Sequence, residues 1–248
     1  IHPSTDGHLV MAYLFLKAQG LAGKPVADIR IDGAGKKVTR SDNCRVSDLS
    51  VSSDNLTFTY EAKSLPYPID TSYYDNEKHT QADALSVIPF MDEMNYEGLS
   101  VSGLSDGYYG LTIGGEFIGR FTARELERGI NMTLLQNTPQ YKQAMKIRQM
   151  NEERWLKERK MREFYWVEYN LMRKTGMLWA CNEAAVDTLR KYRPHDIFLQ
   201  WNGDLWLQYM HKGIREDCVN EQQDLVNRIY EQNKPIPLRI EIKKFTDL

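Results

Sequence analysis

The 248-residue sequence has little cysteine: Cys44, Cys181 and Cys218 are the only three, and no two are spaced as a Cys-x-x-Cys pair. That excludes a zinc knuckle and a dithiol redox motif, and it leaves at least one thiol unpaired. The sequence also lacks a long hydrophobic run. The strongest stretch, Leu9–Leu16, falls well short of the roughly 20 residues a membrane helix needs. It has no basic flank and no small-residue cleavage site, so it does not read as a signal peptide. An excess of either charge is missing too: 32 Lys and Arg stand against 34 Asp and Glu, for a formal charge of -2. No global field argues for nucleic acid or an anionic membrane. Internal repeats and low-complexity tracts are absent.

With 42% hydrophobic residues, the chain has enough apolar material for a sizeable core. Ser4 is placed to cap a helix over His8–Gln19, and Gly20 to stop it. Leu9, Val10, Met11, Ala12, Leu14, Phe15 and Leu16 make that helix apolar nearly all round, so several of its sides need covering. From Lys24 the pattern alternates. Strands are expected through Val26–Ile31, Val46–Val51 and Leu56–Tyr60, then Val87–Met91 and Leu99–Leu104. Pro66–Asp83 reads as a surface loop. Tyr108–Ile113 and Glu116–Phe121, joined by Gly114-Gly115, read as a β-hairpin.

After the hairpin the signals become helical. Thr122 caps a short helix over Ala123–Glu127 that Gly129 ends. Thr138-Pro139 opens a long helix reaching about Lys174, with a break expected near Asn151 and i,i+4 pairs at Glu153/Lys157 and Glu158/Arg162. Further helices are expected near Asn182–Tyr192 and Glu216–Gln232, with a closing strand over Pro237–Ile242. The fold class is therefore α+β: a terminal helix (1–23), an antiparallel β-sandwich-like module (24–121) and a helical C-terminal region (122–248) with one long helix.

The residues with the clearest chemistry open the chain: Ile1-His2-Pro3-Ser4-Thr5-Asp6-Gly7-His8, followed by the apolar helix. This block resembles the last block of the SGNH/GDSL hydrolases of bacterial type, Asp-x-x-His-Pro followed by a helix entered through Gly-His. His2, Pro3, Gly7 and His8 match it. Gly103–Phe121, with Gly-Leu-x-x-Gly-x-Tyr, and Thr122–Asn131, with Thr-Ala-x-Glu-Leu-x-x-Gly-Ile-Asn, resemble the C-terminal extension of many such proteins. The resemblance implies that residues 1–23 are the tail of the SGNH α/β domain and that His2 is the catalytic base of a serine-dependent lipase or esterase. The paired aspartate, three residues before that histidine, falls upstream of Ile1.

The departures are large. No Gly-Asp-Ser block is present, and Asn202-Gly203-Asp204 lacks the order of the family's oxyanion block. The resemblance therefore implies the C-terminal portion of a hydrolase, inert alone, whose serine and aspartate belong to a missing N-terminal catalytic domain. It implies a small acyl-ester substrate such as an acetylated carbohydrate, no cofactor, and a secreted or periplasmic setting. Residues alone leave localisation unknown. The alternative is a non-catalytic β-sandwich and helical module that binds carbohydrate or a partner domain, with His2 only shaping a helix entrance.

Other constellations are weaker. Gly103-Leu104-Ser105-Asp106-Gly107 fits a Gly-x-Ser-x-Gly nucleophile elbow, but a hairpin follows where a helix is required, so a turn is the simpler reading. His8 reads as a structural histidine rather than a metal ligand. Trp179, Trp201, Trp206 and Tyr209 read as core packing rather than a sugar-stacking platform.

Overall fold

The computed structural model describes residues 3–72 and 78–245. His2, the expected base, lies outside the described residues. The chain divides into two compact units, residues 1–146 with 232–248, and residues 147–231.

The first unit is α+β. It begins with α1 (Thr5–Ala18), which starts three residues before the expected His8; Ser4 holds the N-cap position, but its hydroxyl makes no cap bond to the backbone. Two sheets follow, built from β1 (Ala27–Asp32), β2 (Lys37–Asp42), β3 (Cys44–Val51), β4 (Asn55–Ala62), β5 (Glu97–Ser102), β6 (Tyr108–Ile113), β7 (Glu116–Thr122), the two-residue β8 (Ile130–Asn131) and β9 (Leu238–Lys244). Their orders are β2-β1-β5-β8 and β3-β4-β9-β6-β7. Ile29, Ile31, Leu99 and Val101 of the first sheet share one buried cluster with Leu56, Phe58, Leu111, Ile240 and Ile242 of the second. That is the sandwich the alternating pattern implies. Each such side chain contributes roughly 1.5–3 kcal/mol by leaving water.

Further expectations need correction. Pro66–Asp83, expected as a surface loop, buries Ile69, Asp70 and Thr80. β1 pairs with β5 in parallel, so the sandwich is not wholly antiparallel. β2 adds an edge strand; its surface is largely exposed, so no apolar alternation announced it. The strand expected over Val87–Met91 is instead the end of a 3-10 turn (Gln81–Ser86) followed by a single helical turn, α2 (Phe90–Glu93), after Pro89. Proline fixes φ and removes a donor, which favours a helix start over a sheet position here. The hairpin β6–β7 forms as expected, with a bulge between Leu111 and Thr112 and positive φ at Gly114 and Gly115. α3 (Ala123–Arg128) carries the expected cap: Thr122 Oγ1 accepts from Glu125 N, and the Glu125 carboxylate accepts from Thr122 N.

The long helix α4 (Pro139–Val167) runs without a break at Asn151 and passes into a π-helical turn, Glu168–Met172. Its Glu158–Arg162 and Glu153–Lys157 pairs form at 2.8 and 4.0 Å. The second unit continues with α5 (Glu183–Tyr192), α6 (Ile197–Tyr209) and α7 (Lys212–Gln232). Phe164, Val167, Met172, Leu189, Leu199 and Trp206 form its core. One buried carboxylate organises that core. Glu168 accepts from the Trp206 indole at 2.8 Å and from the Trp179 backbone N–H at 2.8 Å, where Trp179 has a φ of 64°.

Candidate functional site

The entrance of α1 is where the expected chemistry should lie. Ser4 Oγ donates to Asp6 Oδ1, and Gly7 N donates to the same oxygen at 2.8 Å. These bonds tie Ser4 to the first turn of the helix. The Ser4 hydrogen bond is the main reason the Asp6 carboxyl is held below its usual range; the Gly7 N–H and nearby His79 act in the same direction. A Cβ on Gly7 would meet the Pro3 ring at 3.2 Å, so the turn is tight where the motif has glycine. His79 Nδ1 lies 3.9 Å from the other Asp6 oxygen, bringing the loop after β4 to the helix entrance.

Neither Asp6 nor His79 stands out in sequence. Asp6 matches no position of the His-Pro block, and His79 lies in a polar stretch without periodicity. His8 is exposed, with no side-chain partner among the described residues, which corrects its reading as a satisfied structural histidine. Residues downstream of His2 therefore form an ordered, acidic helix entrance.

α1 itself is two-sided. Leu9 and Tyr13 are buried against Ile69, Ala84, Ile88 and Phe90. Tyr13 OH and Lys17 Nζ both reach the same Glu93 oxygen at 2.7 Å, which locks the helix to the end of α2. The other side carries Met11, Leu14 and Phe15, exposed by 59, 56 and 65%.

The Gly-x-Ser-x-Gly segment lies between β5 and β6, with no helix after it. Ser105 Oγ accepts from Lys244 Nζ at 2.8 Å, and the buried Tyr109 hydroxyl donates to the Ser105 carbonyl at 2.9 Å. These bonds pin a turn to the last strand. Of the four aromatics read as core, Trp206 and Tyr209 are buried, but Trp179 and Trp201 are exposed.

A buried polar cluster also escaped the sequence. Glu97, at the start of β5, accepts from Tyr60 OH at 2.7 Å and from Gln140 Nε2 at 3.3 Å to each oxygen. Burial pushes its carboxyl up to about 7, with the Tyr60 and Gln140 hydrogen bonds pulling the other way. Burial and the facing carboxylate raise Tyr60. The only hint in sequence was an acid opening an otherwise apolar strand.

At the level of class, residues 145–234 match the family of diltiazem deacetylase C-terminal helical domains. One solved structure, described as a gut microbial diltiazem-metabolizing enzyme, is similar to this chain at 39% identity with a TM-score of 0.93. The match covers 99% of this chain and 55% of that one, so the chain spans about half the length of this relative. No curated protein sequence matches.

Proposed function

We propose that this chain is the C-terminal part of a serine-dependent acyl-ester hydrolase of SGNH type, acting by deacetylation of a small ester. The observation that carries this reading is the likeness to a diltiazem-metabolizing enzyme, at 39% identity over 99% of the chain. The helical family matched by 145–234 bears a deacetylase name, which supports an acetyl group as the acyl half. The unpartnered apolar face of α1 fits a last helix that packs on a catalytic domain, because a clustered apolar surface is one another segment tends to cover.

In this mechanism His2 takes the proton from a serine hydroxyl as the serine oxygen attacks the ester carbonyl. It then returns the proton to the departing alcohol as the tetrahedral adduct collapses to an acyl-enzyme. Water, deprotonated by the same imidazole, releases the acid and regenerates the serine. The Ser4–Asp6–Gly7 turn serves this chemistry by fixing the backbone from Pro3 into α1. The serine and the orienting aspartate are assigned to polypeptide outside this sequence, in keeping with the greater length of the relative.

The test is hydrolysis of p-nitrophenyl acetate by the full polypeptide encoded by the gene, beside its His2→Ala variant. Loss of the base lowers kcat by about 1,000-fold or more. Wild-type turnover in the variant removes His2 from the mechanism.

A further inference from the structure

The second unit contains a cleft of about 350 Å³ that the hydrolase reading does not use. Trp166 and Tyr192 supply aromatic surface in it, and Asn170, Lys174, His195 and Asp196 supply polar groups. Tyr192, Asn170, Lys174 and His195 are exposed, so a ligand can reach them from solvent.

The backbone explains why one helix contributes three of these residues. Trp166, Asn170 and Lys174 are spaced by four. On an α-helix, with about 3.6 residues per turn, such a stripe drifts around the axis. The Glu168–Met172 segment is a wider π turn, which reverses the drift and keeps the three along one side of the cleft. The π turn is held by the buried Glu168 carboxylate, bonded to Trp206 and Trp179. Phe198 packs against Trp166 with the rings tilted by 39° and their centres 5.2 Å apart.

The polar atoms are largely uncommitted. Asp196 uses one oxygen to cap α6, accepting from Phe198 N and Leu199 N, which leaves the other. Asn170 donates to the Trp166 carbonyl and keeps its amide oxygen. Among the described residues, the Lys174 and His195 side chains make no hydrogen bond or ion pair. The ammonium of Lys174 and the carboxylate of Asp196 offset each other in charge.

We propose that this cleft binds an uncharged carbohydrate of one or two rings. A sugar ring offers a C–H face to aromatic side chains, and a rim of hydroxyls that each donate and accept. The cleft presents both halves of that description: aromatic walls with mixed donors and acceptors at near-zero net charge. Its volume is in the range of small-molecule sites. A hydrophobic ligand would leave those polar groups desolvated without partners, and an ionic ligand would meet a charge of its own sign beside the opposite one, with no net attraction. The proposal is independent of the hydrolase reading.

The experiment is isothermal titration of the intact chain with maltose and with cellobiose, using benzamidine and benzoate as charged aromatic controls. At least one disaccharide binds with a Kd at or below about 10 mM. Tyr192→Ala and Asn170→Ala, both at exposed positions, each weaken it about tenfold while tryptophan fluorescence and circular dichroism stay as in the parent. Three results overturn the proposal: neither disaccharide binds, binding is unchanged in both variants, or a charged aromatic binds more tightly than either sugar.

Discussion

The two compact units solve the burial problem in opposite ways. The first joins strands far apart in the chain: β9, contributed by residues 238–244, sits between β4 and β6 at the centre of its sheet. The second is one continuous stretch, 147–231, whose helices bury their faces on one another. Each also buries a glutamate, to different effect. Glu168 accepts two N–H donors and is spent on holding a π turn. Glu97 is met by one hydroxyl and one amide and has its carboxyl pushed up to about 7. Two donor groups meet each acid, and at Glu97 they do not offset the cost of full burial.

Nature has supplied a way to watch the units apart. The five tryptophans, at positions 155, 166, 179, 201 and 206, all belong to the helical unit, so tryptophan fluorescence reports on it alone. The largest effect is expected from Ile240→Asp, which puts a charge into the shared core of both sheets. It should cost at least about 4 kcal/mol, read as lost β-type circular dichroism before any fluorescence change. A simultaneous fluorescence transition would mean the units unfold as one.

Next in size is the pH response of the sheet unit. Because the folded Glu97 carboxyl is raised, the folded state holds its proton more tightly than the unfolded chain does. The resulting stability is full below about pH 4.5 and is lost as pH rises through about 7, a difference of about 3 kcal/mol. Urea titrations at pH 5 and 8, followed by circular dichroism, should show most of that difference, about 2.5 kcal/mol, and Glu97→Gln should flatten it. Glu168→Ala comes third. It strands the buried Trp206 indole N–H, while water can reach the partly buried Trp179 N–H, so about 2 kcal/mol is expected. Here the fluorescence transition moves, and Glu168→Gln recovers part of the loss.

Legibility in the sequence follows the same division. The β6–β7 hairpin and the Thr122–Glu125 cap were readable because glycine pairs and capping residues act over a few positions. Leu56, Phe58 and Tyr60 declared their strand by alternation, and all three are buried. The parallel pairing of β1 with β5 was not readable, since alternation fixes which face is inward but not which strand lies alongside. The aromatic stretch that forms α6 hid its helix because exposed Trp201 and Phe198 blur the apolar stripe. The candidate site was legible only in part. The motif around His2 announces itself by residue type, whereas His79 reaches Asp6 across 73 positions, a pairing that no local pattern encodes.

The smallest effects give the sharpest test of independence, because they perturb without unfolding. Thr122 caps α3 in the sheet unit, and Asn182 caps α5 in the helical unit by accepting from Ala185 N at 3.0 Å. Replacing either with alanine removes one helix-end acceptor, at about 1 kcal/mol in each case. If the units are thermodynamically separate, Asn182→Ala lowers the urea midpoint seen by fluorescence and leaves the sheet transition in place. Thr122→Ala then does the reverse. Equal shifts of both probes by both variants would instead mean that α4, which begins in one unit and ends in the other, couples them into a single cooperative fold.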